Sequence, residues 1–148
     1  MTSDLHALYQ EIILEHNRRP RNFRALDSGR RAEGDNPQCG DRLTVYVRVE
    51  HGVIAEAAFQ GFGCAIARAS ASLMTESVKG KTLADAVALF DRVRHVITGP
   101  PEAPVDDLGP LSALAGVRQF PMRLKCAALP WLALRAAAEG GDAVVSTE

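Results

Sequence analysis

Cys39, Cys64 and Cys126 are the residues of this 148-residue chain whose type allows chemistry on metals and on sulfur. The reactive form is the thiolate, which ligates metals and attacks sulfur, and a helix N-terminus favours it by stabilising the negative charge. Cys39 lies in the turn Pro37-Gln38-Cys39-Gly40-Asp41 ahead of a strand pattern, while Cys64 and Cys126 fall at predicted helix starts. None sits in the middle of an apolar stripe, where an inert buried cysteine ordinarily packs as a small hydrophobe. Taken singly, each is as readable as inert. The intervals of 25 and 62 residues are unlike the paired C-x-x-C knuckles of structural zinc modules, so tertiary folding would have to assemble any metal site. Asp41 is the candidate fourth ligand, because an extended chain points side chains two residues apart the same way. The histidines are less available: His6 and His16 belong to a first helix, His51 to a turn and His95 to a later helix.

The elements that must position these groups are legible in the periodicities. Leu5, Leu8, Tyr9, Ile12 and Ile13 share one helical face, with Ser3 or Asp4 as N-cap and Pro20 as stop. Leu43, Val45, Val47 and Val49 alternate with polar neighbours, as do Val53, Ala55, Ala57 and Phe59, and His51-Gly52 between them reads as a two-residue hairpin turn. After the Gly61-Phe62-Gly63 break, Ile66, Ala69, Leu73, Met74 and Val78 define a helix closed by Gly80. Thr82 and Asp85 form a capping-box pattern opening a third helix toward Gly99-Pro100. Four prolines and three acids between residues 99 and 110 make a linker, and Leu111 to Val117 has room for two helical turns. A last helix spans about Cys126 to Glu139; Pro130 is tolerated only in a first turn, which places Cys126 at or near the N-cap. The pattern is α+β, one domain over residues 1–148, with 1–3 and 141–148 expected to fray.

Composition narrows the function classes. Seventeen basic against eighteen acidic residues leave a net charge of −1, without the basic excess of a nucleic-acid binder. No stretch approaches the roughly 18 apolar residues of a membrane span. The odd cysteine count and an opening Met1-Thr2-Ser3-Asp4 without signal-peptide character place the chain in a reducing cytoplasm. Six arginines between Arg18 and Arg31 face one acid, Asp27, which reads as a solvated basic loop or as a docking patch for an acidic protein surface.

The segments Asn36-Pro37-Gln38-Cys39-Gly40-Asp41, Gly61-Phe62-Gly63-Cys64-Ala65-Ile66, Ser72-Leu73-Met74-Thr75-Glu76, Gly80-Lys81-Thr82-Leu83 and Arg123-Leu124-Lys125-Cys126-Ala127 resemble the U-type iron–sulfur cluster assembly proteins, the IscU/SufU and NifU N-terminal family, from Leu8 to about Trp131. The resemblance implies a small antiparallel sheet, three-stranded, against four to five helices, with a metal or cluster site formed by Cys39, Asp41, Cys64 and Cys126. Within the family, IscU-like scaffolds typically carry a histidine immediately before the third cysteine, where this chain has Lys125. The SufU-like branch carries an extra segment and an arginine three residues before that cysteine, matched here by residues 99–118 and Arg123. Such proteins hold Zn(II) and accept persulfide sulfur from a SufS-type pyridoxal-phosphate cysteine desulfurase, as sulfurtransferases acting ahead of downstream iron–sulfur assembly proteins. The resemblance makes Cys39 the acceptor and gives Arg123 a role in stabilising developing charge or anchoring the partner. The other family role is a scaffold on which a transient [2Fe-2S] cluster is assembled and transferred to apo-proteins.

Overall fold

The structure, a computed structural model, describes residues 2–140 and 143–147, with side chains described outside 2–6 and 143. Helix α1 (Thr2–Arg18) leads to a sheet of β1 (Arg30–Asn36), β2 (Asp41–Glu50) and β3 (Val53–Phe62), followed by α2 (Ala65–Val78) and α3 (Leu83–Thr98). The helical turns expected over 111–117 are found as a 3-10 segment, Gly109–Gln119, and a shorter one, Pro121–Arg123, runs into α4 (Leu124–Ala138) and a final strand, β4 (Ala143–Ser146). The expected α+β class is found, with one extension: the sheet is four-stranded in the order β3-β2-β1-β4, because residues expected to fray form β4 parallel to β1. The other two pairings are antiparallel as expected. At the opposite end, α1 begins at Thr2, so the backbone of Ser3 and Asp4 lies within the helix and not at the expected N-cap position.

The β2–β3 hairpin follows its alternating pattern. Leu43, Val45, Val47, Ile54 and Phe59 have no exposed surface, and the turn closes with His51 and Gly52 at φ 54 and 77, the mirror-image turn that matches strand twist. On β1 the inward residues are Ala32, Gly34 and Asn36, all buried, under α4. That face carries little apolar bulk of its own; Leu129 of α4 fills the space above Gly34, where an added Cβ would stand 2.9 Å from Leu129 Cδ1. Helix α4 is fastened to α2 by a buried relay in which Trp131 Nε1–H donates to Ser70 Oγ (3.2 Å) and Ser70 Oγ–H donates to the Ala127 carbonyl (2.7 Å).

The arginine-rich stretch is not one basic loop. Arg21 pairs with Glu15 and Arg24 with Glu56, Arg30 donates to the Ala138 carbonyl at 2.7 Å, and Arg30 and Arg31 belong to β1. Its members are spread over three neighbourhoods, and Asn22 joins the sheet side by accepting the Phe59 N–H at 3.0 Å on its carbonyl.

The 99–110 linker is organised by Arg118, which is 6% exposed and has no carboxylate partner among the described residues. Its guanidinium donates to the carbonyls of His95 (3.3 Å), Val96 (2.6 Å), Pro100 (3.3 Å) and Ala103 (2.9 Å). The first two are among the last four carbonyls of α3, which no later helical N–H can reach. A cation there also complements the negative end of the helix dipole. Arg118→Met should leave these carbonyls unsatisfied and lower unfolding free energy by about 3 kcal/mol, with Arg118→Lys recovering only part, as measured by urea denaturation.

His16 is buried between α1 and α2, its Nδ1 2.7 Å from Ser72 Oγ, which also accepts the Arg21 N–H at 2.8 Å. Burial lowers its pKa below the ordinary 6.5, helped by the positive charge of Arg21 and opposed by Glu76 and Glu15. The unfolded chain therefore binds the proton more readily, and stability is lost as pH falls below about 6.5. Denaturation midpoints measured between pH 7.5 and 5 should fall, with His16→Gln flattening the slope.

Candidate metal centre

Each member of the site is placed by a different element. β1 and β2 pair through Asn36 and Asp41, so Pro37-Gln38-Cys39-Gly40 forms the tip of their hairpin, tied by Cys39 N–H (3.3 Å) and Gly40 N–H (2.9 Å) to the Asn36 carbonyl. Cys39 is exposed on that tip. Asp41 opens β2 facing inward and has no exposed surface. Cys64 is the N-cap of α2 but its side chain makes no capping bond. The cap oxygen comes instead from Asp41, whose Oδ1 accepts the Cys64 N–H at 2.8 Å. A helix N-terminus thereby meets the carboxylate that its dipole favours. Gly63 makes this approach possible, since a Cβ there would stand 3.1 Å from Asp41 Oδ1 and 3.2 Å from Ala67 Cβ.

Cys126 departs from its expected position. Helix α4 starts at Leu124 after Arg123 as N-cap, which makes Cys126 its third residue and leaves Pro130 inside the helix. The ring therefore sits past the first turn, and the Cys126 carbonyl, four residues back, receives no N–H from it. Tertiary fastening by Ser70 and Trp131 holds this stretch helical despite the missing bond.

These placements bring Cys39 Sγ, Asp41 carboxylate oxygen and Cys126 Sγ within 4.8 Å of one another. Cys126 Sγ–H donates to Cys39 Sγ at 3.3 Å. Asn36 Nδ2 donates both to Asp41 Oδ2 (3.1 Å) and to Cys126 Sγ (3.4 Å). Cys64 lies outside the 4.8 Å group but close enough to influence the Cys126 thiol. Arg123 Nη1–H donates to Cys39 Sγ at 3.5 Å from the solvent side. Burial pushes the Cys126 thiol pKa well up, and hydrogen bonding with Asp41, Cys39 and Cys64 adds to the rise. The Arg123 guanidinium is held even more firmly protonated by the sulfurs around it, Cys126 first and then Cys64 and Cys39.

The donor chemistry suits a metal. Two sulfurs and a carboxylate fit Zn(II), whose ligands lie about 2.3 Å (sulfur) and 2.0–2.2 Å (oxygen) from the ion, putting neighbouring ligand atoms roughly 3.5–3.8 Å apart. Asp41 keeps lone pairs for an ion after accepting hydrogen bonds from Cys64 N–H and Asn36 Nδ2. Of the four ligands read from sequence, the fold thus gathers Cys39, Asp41 and Cys126 tightly, with Cys64 next to them and Arg123 at the rim. What the sequence reading left out is Asn36. Its sequence signal is its place at the head of the family-like segment Asn36-Pro37-Gln38-Cys39-Gly40-Asp41, where it looks like an ordinary turn residue.

An α+β domain that gathers two thiols and a buried carboxylate within 4.8 Å, each from a separate element, is built like a metal-binding protein. The chain is a member of the NifU-like N-terminal domain family, whose pattern matches residues 8–127. It is 37% identical over 143 residues, 95% of this chain and 97% of the relative, to the zinc-dependent sulfurtransferase SufU of Bacillus subtilis. It is 38% identical over 135 residues, 91% of this chain and 85% of the relative, to the iron–sulfur cluster assembly scaffold protein IscU of Streptococcus pyogenes. The crystal structure of a putative iron–sulfur cluster assembly scaffold protein for the SUF system from Fervidobacterium islandicum superposes with a TM-score of 0.80 at 32% identity, covering 90% of this chain and 98% of that one. No described helix is long and apolar enough to cross a membrane.

The difference in burial among the thiols is directly measurable. In metal-free protein, iodoacetamide should modify Cys39 first and Cys126 last, by an order of magnitude or more in rate, because Cys126 is both covered and held protonated. Peptide mass spectrometry resolves the order, and raising the pH should narrow the gap.

Proposed function

We propose that this chain is a zinc-dependent sulfur acceptor that takes persulfide sulfur from a SufS-type pyridoxal-phosphate cysteine desulfurase during iron–sulfur cluster assembly. The observation that carries the reading is the asymmetry of the site: Asp41 and Cys126 are fully buried anchors, while Cys39 is the exposed member of the same 4.8 Å group. Cys39, Asp41, Cys64 and Cys126 would hold zinc, which when bound supplies the charge that keeps thiols deprotonated near neutral pH. Lys125 in place of a histidine leaves Asp41 as the one non-sulfur donor and favours this reading over a cluster scaffold. So does the kinship with the sulfurtransferase of Bacillus subtilis.

Cys39 is the nucleophile. Its hairpin tip is bound to the rest of the fold by two backbone bonds to Asn36 and by thiol contacts, so it can move while the anchors stay. The Cys39 thiolate attacks the outer sulfur of the desulfurase persulfide. A new S–S bond forms at Cys39, the donor's S–S bond breaks, and the donor cysteine leaves as thiolate. Arg123, 3.5 Å from the sulfur, offers positive charge to the anionic persulfide product and to the incoming donor. The exposed apolar residues Phe62, Phe120 and Met122, close in sequence to Cys64 and Arg123, provide a desolvating contact surface for the partner enzyme. Chemistry that depends on reduced thiols belongs in a reducing compartment such as the cytoplasm.

Native mass spectrometry of freshly purified protein should show about one zinc per chain, and the protein should accelerate its cognate desulfurase. Cys39→Ala should abolish sulfur acceptance, by 100-fold or more, with an unchanged circular dichroism spectrum. A zinc-free protein that leaves desulfurase turnover unchanged overturns the proposal. A stable visible chromophore on anaerobic reconstitution, passed on to an apo-protein, assigns the site instead to [2Fe-2S] scaffolding.

A further inference from the structure

The metal centre does not end at its ligands. Asn36 is completely buried at the end of β1, and its amide uses both ends. The Nδ2 group donates to Asp41 Oδ2 and Cys126 Sγ, as described above, and Oδ1 accepts from Thr147 Oγ1–H at 2.8 Å. Thr147 is in turn held by its own N–H, which donates to the Asp35 carbonyl at 3.1 Å, one step beyond the β1–β4 ladder that ends at Asp35 and Ser146.

From this chain of contacts we infer that the C-terminal strand β4, acting through Thr147, is a latch that positions Asn36 and through it the Asp41 and Cys126 donors. Asn36 is a positioning residue: it orients two donors and carries out no bond-making. Its amide can serve the site in one orientation only. Turning it over would aim Oδ1 at the Asp41 carboxylate, oxygen against oxygen, and leave the Cys126 sulfur without its donor. In the working orientation Oδ1 faces away from the site, in a place with no surface exposed to water, and Thr147 satisfies it. Loss of that bond leaves a buried carbonyl oxygen without its partner, which weakens the orientation the donors depend on. Hydrogen bonds to metal ligands from outside the first coordination sphere commonly control affinity by 10- to 100-fold. Because coupling between two sites is reciprocal, ordering the donors also favours the docked strand.

The inference rests on the zinc reading for its effect on metal, but the latch itself exists without metal, which keeps the two separable. Full-length wild type, Thr147→Val and Thr147→Ser are compared, the valine preserving shape without the hydroxyl and the serine restoring it. In metal-free protein, Thr147→Val should speed alkylation of Cys126 about 10-fold while leaving exposed Cys39 unchanged, and it should accelerate amide hydrogen exchange over residues 143–147. After loading with Zn2+ alone, Thr147→Val should lose zinc to a chromophoric chelator about 10-fold faster than wild type. Thr147→Ser should behave as wild type in every assay, and zinc should slow tail exchange in wild type. Wild type that binds zinc, with Thr147→Val indistinguishable from it in zinc release and in Cys126 alkylation, overturns the latch and leaves the metal reading standing. Wild type that binds no zinc overturns the metal reading, and the metal-free alkylation rates then decide the latch alone.

Discussion

A carboxylate with no exposed surface organises this end of the molecule. Asp41 is tolerable there only because its charge is met on both oxygens: the Cys64 N–H at the start of α2 takes one and the Asn36 amide takes the other. An isolated buried carboxylate would cost several kcal/mol or give up its charge. The need to satisfy it joins the first strand, the second strand and the second helix at one point. Gly63 is small because Asp41 sits against it, and α2 needs no cap from its own side chain because Asp41 provides one. The fourth helix then brings Cys126 to the same point, held by the buried Ser70–Trp131 relay at a distance from the thiol.

The elements carrying strong periodicity were readable from residues alone. The β2–β3 hairpin, with its His51-Gly52 turn, and the Thr82-capped helix α3 follow from local patterns that tertiary structure does not oppose. β1 was not readable, for a physical reason: Arg30–Asn36 lacks apolar alternation, and its inward face of Ala32, Gly34 and Asn36 is filled by Leu129 from α4 and not by its own side chains. A strand whose partner brings the bulk leaves little trace in its own sequence. Likewise Val144 and Val145 are too few to signal a strand, and β4 exists because β1 offers an edge. Pro130 misled by a sound local rule; the helix continues through it because packing against α2 compensates for the missing hydrogen bond.

The candidate site divides along the same line. Cys39, Asp41, Cys64 and Cys126 were visible as residue types in distinctive turns and helix starts, and Arg123 through the resemblance of its segment. The burial that separates Cys39 from Cys126 is a tertiary property, as are the roles of Asn36 and Thr147, which lie 111 positions apart. Arg118 is a comparable case beside the linker, a cation buried among carbonyls of α3 and the linker that no local pattern pointed to.

The separation between Asn36 and Thr147 bears on when the centre can come into being. A ribosome releases Cys39, Asp41 and Cys64 well before Cys126, and Thr147, which bonds Asn36, follows later still. The early hairpin and α2 can pair while synthesis continues, since those contacts are near in sequence, but the closing contact spans most of the chain and is correspondingly slow to find. A nascent chain therefore displays two thiols and a carboxylate without the helix and strand that finish their surroundings. The surroundings of Asn36 and Asp41 are complete only once Cys126 and Thr147 have joined them, so the finished arrangement cannot precede the last part of this segment of chain.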